Sequence, residues 1–327
     1  MRICVFGAGA IGGHLAARLA RGGAEVSVVA RGAHLAAMQA NGLTVHAHDG
    51  THVVPVRASA DPADLGPQDA VVVTVKAPAL PAVAAGIGPL LGPETPVAFV
   101  MNGIPWWYFL AGEVPHAGLR LTEIDPDGVL ERRIGIGRTI GGVVYSATEV
   151  VAPGVVRSEH GNIRVIVGEP DGRISDRAKA LSAVLEAGGM PSPVTPTIRT
   201  SVWTKLLGNL SSGPICTLTR RGVRDSLSDP ALRAMARTIA EEGRGIAASL
   251  GISIPDADID RVAASNMQHK PSILQDLELR RPMEIDALFG VPLKLAALTG
   301  ASAPNLSLLV ALVKQAARGE GLYPPIG

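Results

Sequence analysis

The stretch Arg2-Ile3-Cys4-Val5-Phe6-Gly7-Ala8-Gly9-Ala10-Ile11-Gly12 decides the fold. Ile3 to Phe6 is apolar on both faces, as a central strand of a parallel sheet is. Ala10 to Arg21 has helical spacing, and Gly22 and Gly23 end it. Glu25 to Ala30 is a second strand. Together they make one βαβ unit of about 30 residues. In that setting each glycine has a task. Gly7 permits the tight turn, Gly9 lets backbone N–H groups approach a pyrophosphate, and Gly12 lets helix pack closely on strand. The helix N-terminus adds partial positive charge. Gly7, Gly9, Ala10, Ile11 and Gly12 are therefore expected to hold a dinucleotide.

The end of the second strand selects which one. Chains that bind NAD usually place Asp or Glu there for the ribose 2′-hydroxyl. Here the strand ends Val28-Val29-Ala30-Arg31 and carries no carboxylate. A guanidinium at Arg31 can grip a 2′-phosphate through two hydrogen bonds. The expected cofactor is NADP(H), and no metal is called for.

Further strands are expected at Ala70 to Lys76 and Pro96 to Met101, with a crossover helix around Ala79 to Leu91. Asp49-Gly50 reads as the two-residue turn of a hairpin, Leu43 to His48 and Thr51 to Arg57. Gly141 to Gly168 reads as an antiparallel extension of the sheet, and Asp176 to Ala187 as a helix. Pro191-Ser192-Pro193-Val194-Thr195-Pro196 is the best linker candidate. After it the chain is helical: Ile198 to Leu210, Asp229 to Leu250, Ile259 to Met267, Pro271 to Leu279, Pro282 to Thr299 and Ala303 to Arg318. The organisation expected is a doubly wound α/β domain over 1–193 and an all-helical domain over 194–327. Ligands of open α/β sheets bind at the carboxyl ends of the strands, which a following helical domain can cover.

Bulk properties agree. The 327 residues suit two domains at roughly 150 residues each. With 47% apolar and 18% charged residues the chain can bury a sizeable core. A net charge of +1 gives no electrostatic case for nucleic acid or an anionic membrane. No apolar run reaches the length of a membrane span, and the N-terminal run lacks the continuous apolar core of a signal peptide. Two cysteines, Cys4 and Cys216, point to a reducing compartment, so a cytoplasmic setting is expected. The long apolar helices suit a homodimer or an intramolecular interface equally well.

The ordered set of motifs resembles the ketopantoate reductases (2-dehydropantoate 2-reductases). It comprises the phosphate loop, Arg31, Val75-Lys76, Asn102-Gly103-Ile104, Lys205 with Asn209, and Ser272-Ile273-Leu274-Gln275-Asp276 before Glu284-Ile285-Asp286. The resemblance spans nearly the whole chain. It implies a Rossmann-type domain carrying NADPH, followed by a helical domain of the 6-phosphogluconate dehydrogenase type. The implied reaction is reduction of a 2-oxo acid substrate to a 2-hydroxy acid. By the same resemblance Lys205 is the proton donor, and Glu284 positions Lys205 or the substrate hydroxyl. Asn102 contacts cofactor and substrate, and Lys76 is a second such residue.

The residue types suit that chemistry. Ketone reduction needs hydride on carbon and a proton on the developing alkoxide. The Lys205 ammonium can stabilise the oxyanion and donate. Asn209, four residues on, shares its helix face. Glu284, after Pro282, is expected in the first turn of a helix, where the helix dipole favours a carboxylate. Ser272, after Pro271, stands near another helix start and can hold a substrate carboxylate.

Two features depart from the family pattern. The second asparagine that the family commonly carries on the lysine helix is replaced by Gly213, which is expected to open space there. Trp106-Trp107-Tyr108-Phe109 gathers four aromatics; read as helical, they cannot all face one core, which points to domain packing or to a larger apolar pocket. Reduction of a bulkier 2-oxo acid or ketone is therefore the alternative within this chemistry. A non-catalytic NADP(H)-binding sensor is the alternative outside it, and Lys205, Asn209 and Glu284 count against it.

Overall fold

A computed structural model describes residues 1–158 and 161–325. The chain divides into two compact units. One holds Met1–Met101 and Pro105–Ile198; the other holds Asn102–Ile104 and Arg199–Gly327.

The α/β unit begins with β1 (Arg2–Phe6), α1 (Ala10–Arg21) and β2 (Glu25–Val29). Next come α2 (Gly32–Asn41), β3 (Leu43–Ala47), β4 (Gly50–Val54), β5 (Arg57–Ser59) and β6 (Ala70–Val73). Then follow α3 (Leu80–Gly86), β7 (Val97–Val100), α4 (Val129–Arg133) and β8 (Thr139–Tyr145). β9 (Thr148–Ala152), β10 (Val155–Ser158), β11 (Arg164–Gly168) and α5 (Asp176–Ala187) complete it. Among the described residues seven strands form one sheet, ordered β11-β8-β7-β6-β1-β2-β5. All neighbours pair in parallel except β11, which runs antiparallel to β8. This is the doubly wound order, with the crossover of direction beside β1. Its inner strands β6 (AVVV) and β7 (VAFV) are wholly apolar because both faces are buried.

Four corrections to the expected α/β topology follow. The hairpin turns at His48-Asp49, one residue earlier than expected, so Gly50 pairs with Ala47. The Asp49 carboxylate, which an Asp-Gly turn would leave in water, is instead taken by Arg18 and Arg21 of α1. Second, Gly141–Gly168 is not one antiparallel extension. β8 continues the parallel sheet and β11 edges it, while β9 and β10 join the hairpin in a four-stranded sheet ordered β4-β3-β10-β9; residues 159–160 lie outside the described residues. The small sheet covers α1, where Val156 sits so close that a Cβ on Gly13 would lie 2.8 Å from it. Third, the proline-rich stretch is no free tether. Val165 and Val167 donate to the Pro191 and Pro193 carbonyls at 3.0 and 3.1 Å, and Thr195 donates to Val167 O at 2.9 Å. Fourth, Trp106 to Phe109 form turns rather than a helix, and all four are 1% exposed. Trp106 packs edge-on against Phe99 at 5.6 Å, and Trp107 covers Gly141. Turn geometry lets consecutive rings enter one core, so the quartet serves packing in this unit and offers no surface to a substrate.

The helical unit contains α6 (Ile198–Thr219), α7 (Val223–Leu227), α8 (Pro230–Ser249), α9 (Asp256–Ala263) and α10 (Ser272–Glu278). α11 (Val291–Thr299) and α12 (Pro304–Gly319) end it. α6 runs nine residues past the expected Leu210. Pro214 removes one helical N–H, yet the buried Ile215 and Cys216 hold the following turn in place. Ser212 and Thr217 return hydroxyls to the Gly208 and Gly213 carbonyls. The expected helix from Pro282 is also corrected. Residues 281–284 are non-helical, and one wide π-turn, Asp286–Gly290, precedes α11. Val291 N–H reaches back to Asp286 O; Pro292 follows with no N–H to give, which favours a locally widened turn.

Candidate active site

Within the α/β unit the phosphate loop is built as its glycines require. Gly7 has φ +103°, and a Cβ there would lie 2.5 Å from Val75. Its N–H donates to Val29 O at 3.0 Å, and its carbonyl accepts from the Thr74 hydroxyl at 2.6 Å. A side chain on Gly12 would overlap that same carbonyl. Gly9, the N-cap of α1, faces open space, with nothing within 4 Å of the place a Cβ would take. Ala10, Ile11 and Gly12 begin the helix, so their N–H groups have no partner within it. No acidic side chain stands in that first turn to compete with an anion. This cradle fits a pyrophosphate.

Arg31 is exposed at the N-cap of α2, two residues beyond β2, and α2 has no acidic residue in its first turn. Lys76 differs from its expected place as a strand end. β6 stops at Val73, and Lys76 caps a 3-10 turn, Ala77–Ala79, that leads into α3. Thr74 was not singled out in the sequence; its one signal is a lone hydroxyl in the run AVVVTVK.

Within the helical unit three of the expected residues come together. Lys205 Nζ donates to Asn102 Oδ1 at 2.6 Å. Asn102 follows β7 by two residues, and with Gly103 and Ile104 it clusters with the helical unit. Gly103 has φ +81°, and a Cβ there would lie 2.6 Å from the Ala287 carbonyl. The peptide therefore lies directly on the π-turn, and only glycine fits. Glu284 is buried and stands just ahead of the helix rather than in its first turn, its carbonyl accepting from Leu288 N–H at 2.9 Å. Burial pushes the Lys205 ammonium down to about 8, against an opposing pull from the Glu284 carboxylate. A lysine in that range is still mostly protonated at neutral pH and gives its proton up readily.

Asn209 is partly buried one turn after Lys205. Ser272 is exposed at the first position of α10. Gly213 overturns an expectation: its neighbourhood is filled. A Cβ there would lie 3.1 Å from the Phe289 ring and 3.5 Å from Ile273. Phe289 is completely buried and takes the room a side chain at 213 would need.

A doubly wound sheet with a glycine phosphate loop, joined to a helical unit that holds a half-buried, hydrogen-bonded lysine, has the make-up of a dinucleotide-dependent oxidoreductase. The comparisons with known proteins narrow the class. The chain belongs to the ketopantoate reductase family: the family description "Ketopantoate reductase PanE/ApbA" matches residues 3–172, and its C-terminal counterpart matches residues 197–317. It is 44% identical over 326 residues to a 2-dehydropantoate 2-reductase of Mesorhizobium japonicum, covering 99% of this chain and all of that one. Among solved structures it is similar to 2-dehydropantoate 2-reductase from Geobacter metallireducens (TM-score 0.85, 30% identity, 97% of this chain and 100% of the other). It is likewise similar to a PanE/ApbA family ketopantoate reductase from Ralstonia eutropha (TM-score 0.82, 26% identity, 98% and 100%).

Proposed function

We propose that this chain reduces 2-dehydropantoate to pantoate with NADPH. The observation that carries the reading is the Lys205 ammonium, half-buried, hydrogen-bonded to Asn102 and within the field of the Glu284 charge. NADPH, when bound, supplies hydride to the 2-oxo carbon. Gly7, Gly9, Ala10, Ile11 and Gly12 would hold its pyrophosphate, Arg31 its 2′-phosphate, and Lys76 and Asn102 its nicotinamide end. Lys205 stabilises the developing oxyanion and gives it the proton. Glu284 keeps that ammonium charged and oriented, Asn209 and Asn102 bind the substrate, and Ser272 holds its carboxylate at the start of α10. The full-length likeness to 2-dehydropantoate 2-reductases supports the choice of substrate.

No helix among the described residues is long and apolar enough to cross a membrane. Cys4 and Cys216 are both free and buried, which suits a reducing compartment, and we extend the proposal to the cytoplasm.

The test is purified protein with NADPH, followed at the cofactor's absorbance, against 2-dehydropantoate and a panel of 2-oxo acids. Turnover with the highest kcat/KM for 2-dehydropantoate is expected. A clear preference for a bulkier 2-oxo acid moves the substrate. Tight NADPH binding with no oxidation by any of them removes the catalytic reading.

A further inference from the structure

The chain's last described residues reach the segment that carries Glu284. Tyr323 Oη donates to Asp286 Oδ1 at 2.8 Å. Lys314 Nζ, from α12, lies 3.1 Å from the same oxygen. The Tyr323 ring has two cations near it: Lys314 Nζ is 5.2 Å and the Arg318 guanidinium 5.1 Å from its centre. Arg318 Nε also donates to Pro324 O at 2.8 Å. In this segment ring, phenol and backbone are all engaged.

What the tail grips is the first residue of the π-turn. The Asp286 carboxylate spans that turn: a Cβ on Gly290, at its far end, would lie 3.1 Å from Oδ1. The turn touches the other parts of the candidate site. Ala287 O abuts Gly103, beside Asn102, and Phe289 seats against Gly213 on the lysine helix. Upstream, Arg281 is fixed to Asp276 of α10 through its backbone N–H at 2.8 Å and its guanidinium at 3.3 Å. Glu284 thus hangs between two anchors, Arg281–Asp276 before it and Asp286–Tyr323 after it.

We propose that Tyr323 is a positioning residue for Glu284, acting through Asp286 to fix the π-turn that directly follows Glu284 and whose Leu288 N–H donates to its carbonyl, and so to hold the Glu284 carboxylate toward Lys205. The inference rests on the reading of Lys205 and Glu284 given above. The groups that set the charge around this link are Glu284 at Lys205; Lys314, Arg318 and the Tyr323 phenol at Asp286; and Asp276 with Arg281 at the upstream anchor. π-turns cost regular hydrogen bonding and occur often at functional sites, and such a turn needs an external hold to keep one geometry.

The experiment compares wild type, Tyr323→Phe, a chain ending at Gly321 and Glu284→Gln, each as the NADPH-bound protein. Three quantities are read: kcat against pH, the Kd for NADPH, and the pH at which Lys205 titrates by NMR of labelled lysine side chains. The Lys205 signal is assigned by its loss in Lys205→Met. Tyr323→Phe and the shortened chain are expected to lower kcat about tenfold, the scale of a small misplacement of a catalytic group. They should also move the Lys205 titration to lower pH, because a displaced carboxylate holds the ammonium less well. NADPH affinity should stay within about twofold, since Tyr323 and the phosphate loop belong to different units. If Glu284→Gln shifts the titration but Tyr323→Phe and the shortened chain do not, the positioning role is overturned. A lower melting temperature with an unmoved titration likewise overturns it, as a structural tie would do only that. If Glu284→Gln itself leaves the titration in place, the reading of the Lys205–Glu284 pair is what fails.

Discussion

Lys205 and Asn102, far apart in sequence, are joined by a 2.6 Å hydrogen bond from ammonium to amide oxygen. The bond gives one ammonium proton a fixed direction and leaves two others to point elsewhere. A substrate oxygen can then take its place near a donor that is already oriented. The same bond explains why Gly103 must stay glycine, since the peptide that carries Asn102 rests on the Ala287 carbonyl.

Lys205→Ala is expected to cut kcat about 10²–10⁴-fold, the usual contribution of a positioned general acid, while NADPH binding is kept. In the wild type, ketone reduction should decline as pH rises through about 8, where the buried ammonium loses its proton. The reverse oxidation, which needs the neutral amine as base, should rise over the same range. Stopped-flow single-turnover rates against pH check both. A flat profile between pH 6 and 10 would remove Lys205 from proton transfer.

Arg31→Ala is expected to raise the KM for NADPH at least about tenfold, with little change for NADH, because only NADPH offers a 2′-phosphate to the guanidinium. Initial rates with the two cofactors decide it. Equal losses with both would mean Arg31 reads something other than that phosphate.

Gly213→Asn should be destabilising, because its Cβ would meet the Phe289 ring at 3.1 Å. Overpacking of this kind costs about 1–3 kcal/mol. Denaturant titration should show the loss, and adding Phe289→Ala should return part of it by making room. An unchanged midpoint in the single variant would show that the ring moves aside freely.

The α/β unit should be sensitive to acid. His14 is buried on α1, accepts from Arg18 Nε at 3.1 Å, and is pushed down to about 3, chiefly by burial. Since its unfolded value is about 6.5, stability is full above that value and falls as pH drops from there toward 3. Asp49, held far below the usual carboxylate range mainly by its hydrogen bonds from Arg18, adds a second loss at lower pH. His14→Gln should flatten the decline of melting temperature between pH 6.5 and 4. Asp49→Asn should be destabilising at neutral pH, as it leaves the buried Arg18 without a counter-charge.

The sequence made the βαβ unit, its glycine loop and the helical second half readable because each rests on local periodicity and on Gly and Pro as breaks. Lys205 and Glu284 stood out through the resemblance to the ketopantoate reductases, and their residue types suit the chemistry. What stayed hidden depends on distant contacts. α2 buries only Met38, so its apolar stripe is too thin to see. The Asp49 carboxylate at the hairpin turn is held by Arg18 of α1, a partner more than one element away. Nothing near Gly213 foretells that Phe289 will fill its side. The π-turn has no periodicity of its own, and the aromatic quartet enters one core only because its residues form turns, which helical spacing does not foretell.

Asn102–Ile104 belongs to the helical unit although it is flanked on both sides by the α/β chain. The backbone therefore changes unit three times: at Met101–Asn102, at Ile104–Pro105 and at Ile198–Arg199. Exchange of C-terminal halves between homologous genes at a single crossover would leave this tripeptide behind in its original setting. Such hybrids would pair a lysine from one parent with an asparagine from the other. Recombination should succeed only between parents whose tripeptides and π-turns are matched, so the two halves are constrained to diverge together.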